Sequence, residues 1–261
     1  MSLTFGSLFA GIGGFDLGFE RAGMVCKWQV EIDTYAQRVL AKHWPDVRRH
    51  DDVRTFPPAP ASDWRVDVIC GGFPCQDISA AGHCEGIDGA RSGLWAEFHR
   101  IIRALRPRFV AVENVAALVD RGIDRVLGDL AEAGFDAEWQ VLPAKAFGAP
   151  HTRERMFIVA YSGCERRETP SIEPRIFSQG IRKSNAWGRS RFRELELNGV
   201  HGKRVRSVPR AGVLGATEWL PDWMDRLRCS GNAVVPQVAE WIGRRIAEAS
   251  QAHPPTNGAR R

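Results

Sequence analysis

Short apolar runs alternate with helical stripes over the first 160 residues. Residues 4–9 read as a strand entering a glycine turn, and residues 15–22 as a short helix with Gly23 just past its end. Residues 25–32 form a second strand, and residues 35–43 a helix that stops before Pro45. Residues 66–70 have the length and β-branched content of a buried strand. Leu94, Phe98, Ile101, Ile102 and Leu105 share one helical face, with Ser92 as N-cap and Pro107 beyond the end. Residues 109–113 are the next strand, and Val126, Leu127 and Leu130 mark a helix ending near Gly134. Strands over 137–142 and 156–161 complete the series. This alternation predicts an α/β fold with an open, mostly parallel sheet covered by helices on both faces.

After Tyr161 the alternation stops. Residues 162–215 are rich in Arg, Ser, Gly and Glu, with isolated aromatics at Phe177, Trp187 and Phe192. The stretch is either an irregular small domain or a partly ordered insertion. Regularity returns where Val238, Trp241, Ile242 and Ile246 stripe a helix opened by Pro236. The expected organisation is a main domain over 1–161, a small region over 162–215, a segment over 216–252 that packs back on the main domain, and a tail over 253–261.

Composition narrows the class. The 261 residues, 44% apolar and 26% charged, suffice for one large α/β domain or a domain with a small appendage. No apolar run approaches membrane-spanning length, and Met1-Ser2-Leu3-Thr4-Phe5 lacks the basic start of a signal peptide, so a cytoplasmic protein is expected. The six cysteines (26, 70, 75, 84, 164 and 229) include no Cys-x-x-Cys pair. That argues against a disulfide framework or a structural metal and leaves room for one reactive thiol. Residues 151–212 hold fourteen Arg or Lys and six Glu with no Asp, a surplus of +8 that leaves −3 for the rest of a +5 chain. Such a concentration suits either a polyanionic partner or a solvated basic loop.

Five segments carry candidate chemistry. Gly11, Gly13 and Gly14 lie between a strand and a helix, where backbone can approach a ligand closely. Glu31, at the end of the next strand, suits ribose hydroxyls, although the glycines lack the full dinucleotide spacing, with a plain tight turn as the alternative. Cys75 follows Pro74 at a strand end, where Gly71 and Gly72 leave room for a flat substrate; it is a nucleophile or an inert thiol. Glu113 ends another strand, where desolvation can keep its proton near neutral pH, or where it simply caps. Arg153 and Arg155 stand two apart on an extended segment, as anion-orienting groups or ion-pair partners. Asn232 follows a glycine before the last helix, where plain capping is the alternative.

Taken together, Phe9-Ala10-Gly11-Ile12-Gly13-Gly14, Gly72-Phe73-Pro74-Cys75-Gln76, Glu113-Asn114-Val115, Arg153-Glu154-Arg155 and Gly231-Asn232-Ala233-Val234 resemble the signature segments of the DNA cytosine-5 methyltransferase family. The resemblance covers residues 3–160 and 228–246. It implies a Rossmann-like fold that uses S-adenosylmethionine, with Phe9, Gly11, Gly13, Gly14 and Pro74 around the cofactor. Glu31 would hold the ribose, Ile32 the adenine face and Asp52 the adenine amino side, with Asn232 and Ala233 closing the site. It further implies that Cys75 adds to carbon 6 of a flipped cytosine, Glu113 serves ring nitrogen 3 and Arg155 the base carbonyl. Arg153, counted with the catalytic set, would mainly brace the loop. Gln76, Ser79 and Val115 would meet the DNA, and the basic window would read its sequence.

That window is short for the family, and His151 stands where many relatives carry glutamine. Double-stranded DNA is the expected partner of a monomeric, nucleoid-associated enzyme, with room for a cognate restriction endonuclease. The rivals are a tRNA cytosine-5 methyltransferase, whose usual Cys-Phe-Thr tripeptide is missing here, and a non-catalytic DNA-binding regulator, which an intact Cys75, Glu113 and Arg155 disfavour.

Overall fold

The computed structural model describes residues 2–74, 93–149, 151–162, 176–177, 229 and 231–252. Its strands are β1 (Thr4–Leu8), β2 (Val25–Val30), β3 (Arg48–His50), β4 (Val68–Gly71), β5 (Phe109–Val115), β6 (Phe135–Pro143) and β7 (Glu154–Ser162). The helices are α1 (Gly14–Arg21), α2 (Thr34–His43), α3 (Leu94–Leu105), α4 (Leu118–Arg121), α5 (Ile123–Glu132) and α6 (Pro236–Ala252). The seven strands make one sheet in the order β3-β2-β1-β4-β5-β7-β6. Pairing is parallel from β3 to β5, whereas β7 runs antiparallel to both β5 and β6. The expected mostly parallel α/β sheet is what forms.

Two apolar layers cover the sheet. Trp95, Phe98, Ile101 and Ile102 of α3 pack with Val126 and Leu130 of α5 on one face. Phe15 and Phe19 of α1 pack with Val238, Ile242 and Ile246 of α6 on the other. Helices α1, α3, α5 and α6 thus bury one stripe each, as their apolar spacing requires. At the α1–α6 crossing, Gly18 faces Ala239 and Gly243 faces Ala22 and Phe19, so the helices approach where side chains are smallest. No described helix is long and apolar enough to cross a membrane.

Boundaries differ from expectation in places. β2 stops at Val30, so Glu31 and Ile32 lie just beyond the strand. The N-cap position of α3 belongs to Gly93, with no side-chain cap; Ser92 lies outside the described residues. β5 runs two residues further than expected and carries Asn114 and Val115 within it. Of the 162–215 region, only Ser162, Ile176 and Phe177 are described. The amides of Ile176 and Phe177 donate to the Glu138 carboxylate at 3.0 and 3.4 Å, and Ile176 is buried against the α1–α6 face. Cys75, Gln76, Ser79, Trp187, Phe192 and the 253–261 tail lie outside the described residues.

Candidate functional site

The strand ends β1, β2, β4 and β5 open on the same side, and the site is built there. The chain leaves β1 through left-handed conformations at Phe9 (φ 51°), Gly11 (φ 56°) and Gly13 (φ 86°). A Cβ added at Gly11 would meet nothing within 4 Å, so this glycine borders open space. Gly13 and Gly14 serve differently. A Cβ on Gly13 would collide with the Trp44 ring, and one on Gly14 with the Val234 carbonyl. Neither lines the cavity described below, so both act by letting other parts of the chain come close.

Glu31 ties this loop down. Its carboxylate accepts the Gly11 amide at 2.6 Å and the Asp33 amide at 2.8 Å. Burial raises its pKa, and the same amides offset part of that rise. Beside it, Ile32 is 61% exposed, an unusual state for an isoleucine and a ready platform for a flat ring. Two residues past the neighbouring strand β3, Asp52 caps a 3-10 turn (Val53–Thr55) and accepts the Arg54 amide at 2.9 Å. That bond holds the Asp52 carboxyl below its ordinary range.

The other end gathers around Glu113, which is 7% exposed. Its Oε1 lies 3.1 Å from Arg155 Nε. Burial pushes the Glu113 pKa up to about 7, against the pull of the Arg155 and then the Arg153 guanidinium. A Cβ at Gly72 would sit 2.6 Å from Glu113 Oε2, so a side chain there would displace the acid. Gly71 has another reason: a Cβ on it would strike the Leu8 carbonyl across the β1–β4 pair. The room expected at both glycines therefore belongs to Gly72 alone.

Two further residues shape this end. Asn114, 2% exposed, donates to the Phe73 carbonyl at 3.2 Å and accepts the Val115 amide at 2.8 Å. It thereby fixes Phe73, two residues past the end of β4 and two positions before Cys75, a role no spacing pattern announces. Arg153 donates to the carbonyls of Gly231 and Ala233, the latter at 3.1 Å, and so holds the C-terminal segment beside the site. His151 is exposed.

A single cavity of about 410 Å³ joins the two ends. Phe9, Gly11, Glu31, Ile32 and Asp52 line one side, Pro74, Glu113, Val115 and Arg155 the other, and Asn232 and Ala233 add to the lining. The size is in the ordinary range for a ligand site, ~300–1,000 Å³. An acid near its midpoint at neutral pH, a guanidinium and an exposed apolar platform thus share one enclosure. Such a set can bind a nucleoside at one end and exchange a proton with a heterocycle at the other.

Residues 3–198 match the family model for C-5 cytosine-specific DNA methylase. The chain is 36% identical to Type II methyltransferase M2.BsuMI of Bacillus subtilis (strain 168), over 93% of this chain and 75% of that protein. It is 33% identical to Type II methyltransferase M.HgiCII of Herpetosiphon aurantiacus over 64% of this chain, but spans only 44% of that relative. Among solved structures, a prophage-encoded DNA modification methyltransferase of E. coli superposes with TM-score 0.53 at 29% identity, over 62% of this chain and 47% of that one. Spodoptera frugiperda DNMT2 superposes with TM-score 0.53 at 21% identity, over 64% and 54%, a likeness of fold.

Proposed function

Because the chain belongs to the C-5 cytosine-specific DNA methylase family, we propose that its cavity binds S-adenosylmethionine beside a cytosine flipped from duplex DNA and methylates carbon 5. The observation that carries this reading is the enclosure itself, which holds Glu31 and Ile32 at one end and Glu113 with Arg155 at the other. The residues suit the cofactor: Glu31 accepts from ribose hydroxyls, Ile32 covers the adenine face, and Asp52 borders the adenine edge. Phe9 and Gly11 leave the passage open, with Pro74 at its far wall. Asn232 and Ala233 close it. When bound, S-adenosylmethionine supplies an electrophilic methyl group.

The chain's own residues prepare the base. Carbon 5 of cytosine is a weak nucleophile until the Cys75 thiolate adds to carbon 6 and makes the ring an enamine. Addition places negative charge on the ring, and a protonated Glu113 relieves it at nitrogen 3. Its pKa of about 7 leaves a substantial protonated fraction at neutral pH. Arg155 lies beside that carboxyl and holds the base carbonyl. Loss of the carbon 5 proton then expels the Cys75 sulfur. Arg153 braces the 231–233 segment rather than touching the base. Gln76, Ser79 and Val115 contact the DNA around the flipped nucleotide, and the arginine-rich 163–215 window binds phosphates, so affinity falls steeply with salt. The Type II relatives support a restriction–modification setting with a cognate endonuclease, and a monomer in the cytoplasm completes the reading.

Labelled cofactor tests the proposal on duplex DNA beside tRNA, together with a 5-fluorocytosine duplex. Duplex labelling, a covalent adduct, and loss of both in Cys75→Ser with cofactor binding kept are the expected results. Labelling of tRNA alone would reassign the substrate, and DNA binding without adduct would leave a regulator.

A further inference from the structure

The part of the cavity wall that carries Asp52 is held from outside. It consists of Asp51, Asp52, Val53 and Arg54, and its only regular structure is the 3-10 turn Val53–Thr55. A single turn of this kind has too few internal hydrogen bonds to fix its own position. One end is anchored by Phe56, which is fully buried with its ring centroid 4.7 Å from Trp28 and 5.0 Å from Trp64. The carbonyls of the turn converge on one side chain of α3. Arg100 Nη2 donates to Phe56 O at 2.6 Å and Val53 O at 3.0 Å, and reaches Arg54 O at 3.5 Å. Glu97 orients the same guanidinium through a 2.7 Å contact to Nε.

A cation gathering the C-terminal carbonyls of a turn makes charge-assisted bonds and complements the local dipole. Arg100 itself does not line the cavity, yet every carbonyl it holds belongs to the wall or to the residue anchoring it. Asp52 sits at the N-terminal end of the turn, and its carboxylate bonds the Arg54 amide, so a shift of the turn shifts Asp52 with it.

We infer that Arg100 is a positioning residue for the methyl donor: it fixes the 51–54 wall and thereby sets the affinity for the adenosine half of S-adenosylmethionine. The inference rests on the cofactor reading above.

The test uses the full chain, with S-adenosylmethionine binding measured by calorimetry and kinetics measured on duplex DNA. Arg100→Ala is expected to raise the Kd and the KM for S-adenosylmethionine about tenfold, leaving kcat at saturation within about twofold. Arg100→Lys, which keeps the charge and can reach at least one carbonyl, is expected to recover most of the affinity. In an Asp52→Ala background, Arg100→Ala should weaken binding by less than about twofold, because both changes act through one wall. Additive losses in the double variant would overturn the inference, as would a lowered kcat or melting temperature at unchanged Kd. If the unaltered chain bound no S-adenosylmethionine, the cofactor reading itself would fall, and the inference with it. Tight binding indifferent to Arg100 would remove the inference alone.

Discussion

Two carboxylates are buried among the described residues, and they have opposite surroundings. Asp16, fully buried on α1, accepts from Gln29 Nε2 at 2.8 Å, Ser7 Oγ at 3.2 Å and Cys26 Sγ at 3.6 Å, all neutral donors. Glu113 faces Arg155, borders a cavity and has Arg153 nearby. Burial is the first cause of a raised pKa in both, to about 6 for Asp16 and about 7 for Glu113. A perturbed pKa therefore does not separate the acid proposed for catalysis from the structural one. Access does: Glu113 lines the cavity and Asp16 does not.

The largest test exchanges each acid for its amide. Glu113→Gln cannot supply the proton, so methyl transfer to duplex DNA should fall by about 10³-fold with cofactor affinity unchanged, while Asp16→Asn keeps kcat within about threefold. Equal losses in the two variants would erase the distinction.

Next in size is stability against pH. Asp16 has a folded pKa of about 6 against an ordinary 3.8. Its protonated form is thus favoured by folding, and the stability it contributes is present below pH 3.8 and is lost as pH rises through about 6. Asp16→Asn should match the unaltered protein in urea denaturation below pH 3.8 and exceed it above pH 7, by up to about 3 kcal/mol. The buried Gln29 Oε1 finds no hydrogen-bond partner among the described residues, and an amide at 16 can donate to it. A variant whose stability differs from the unaltered protein by the same amount at all pH values would show that folding does not shift the Asp16 pKa.

A smaller effect should follow Arg155→Gln, which removes the strongest opposing charge beside Glu113. An alkaline limb of the kcat/KM profile is expected near pH 7 from Glu113, and it should move upward in this variant while kcat falls roughly thirtyfold. A limb that stays in place would assign it to another group. The smallest change concerns the neighbour: Asn114→Ala frees the Phe73 carbonyl and should lower kcat about tenfold without altering cofactor Kd. A shift in Kd instead would place Asn114 on the cofactor side.

The sheet and its helices were readable because each buries one apolar stripe at a regular period. β3 was not, since Arg48, Arg49 and His50 form a polar edge strand with no apolar alternation. The reversal of β7 was also hidden, because an extended strand has the same side-chain period in either direction. Among site residues, the cavity gathers Glu31, Ile32, Asp52, Glu113 and Arg155, which lie far apart along the chain. Gly13 and Gly14 looked like ligand neighbours because a glycine records only that something comes close, and here that something is Trp44 and Val234. Arg100 left no sequence signal, and Asn114 stood in a signature segment without a role of its own, since both act on backbone carbonyls, which every residue possesses.

The contact of Gly14 with Val234, reinforced by Arg153 on Gly231 and Ala233, has a consequence for how the protein comes into being. Nearly all of the described chain separates the loop that opens the cavity from the segment that shuts it. During translation the sheet can assemble well before that segment leaves the ribosome, so the nascent chain passes through a period in which Glu113 has its strand but the cavity beside it still lacks a side.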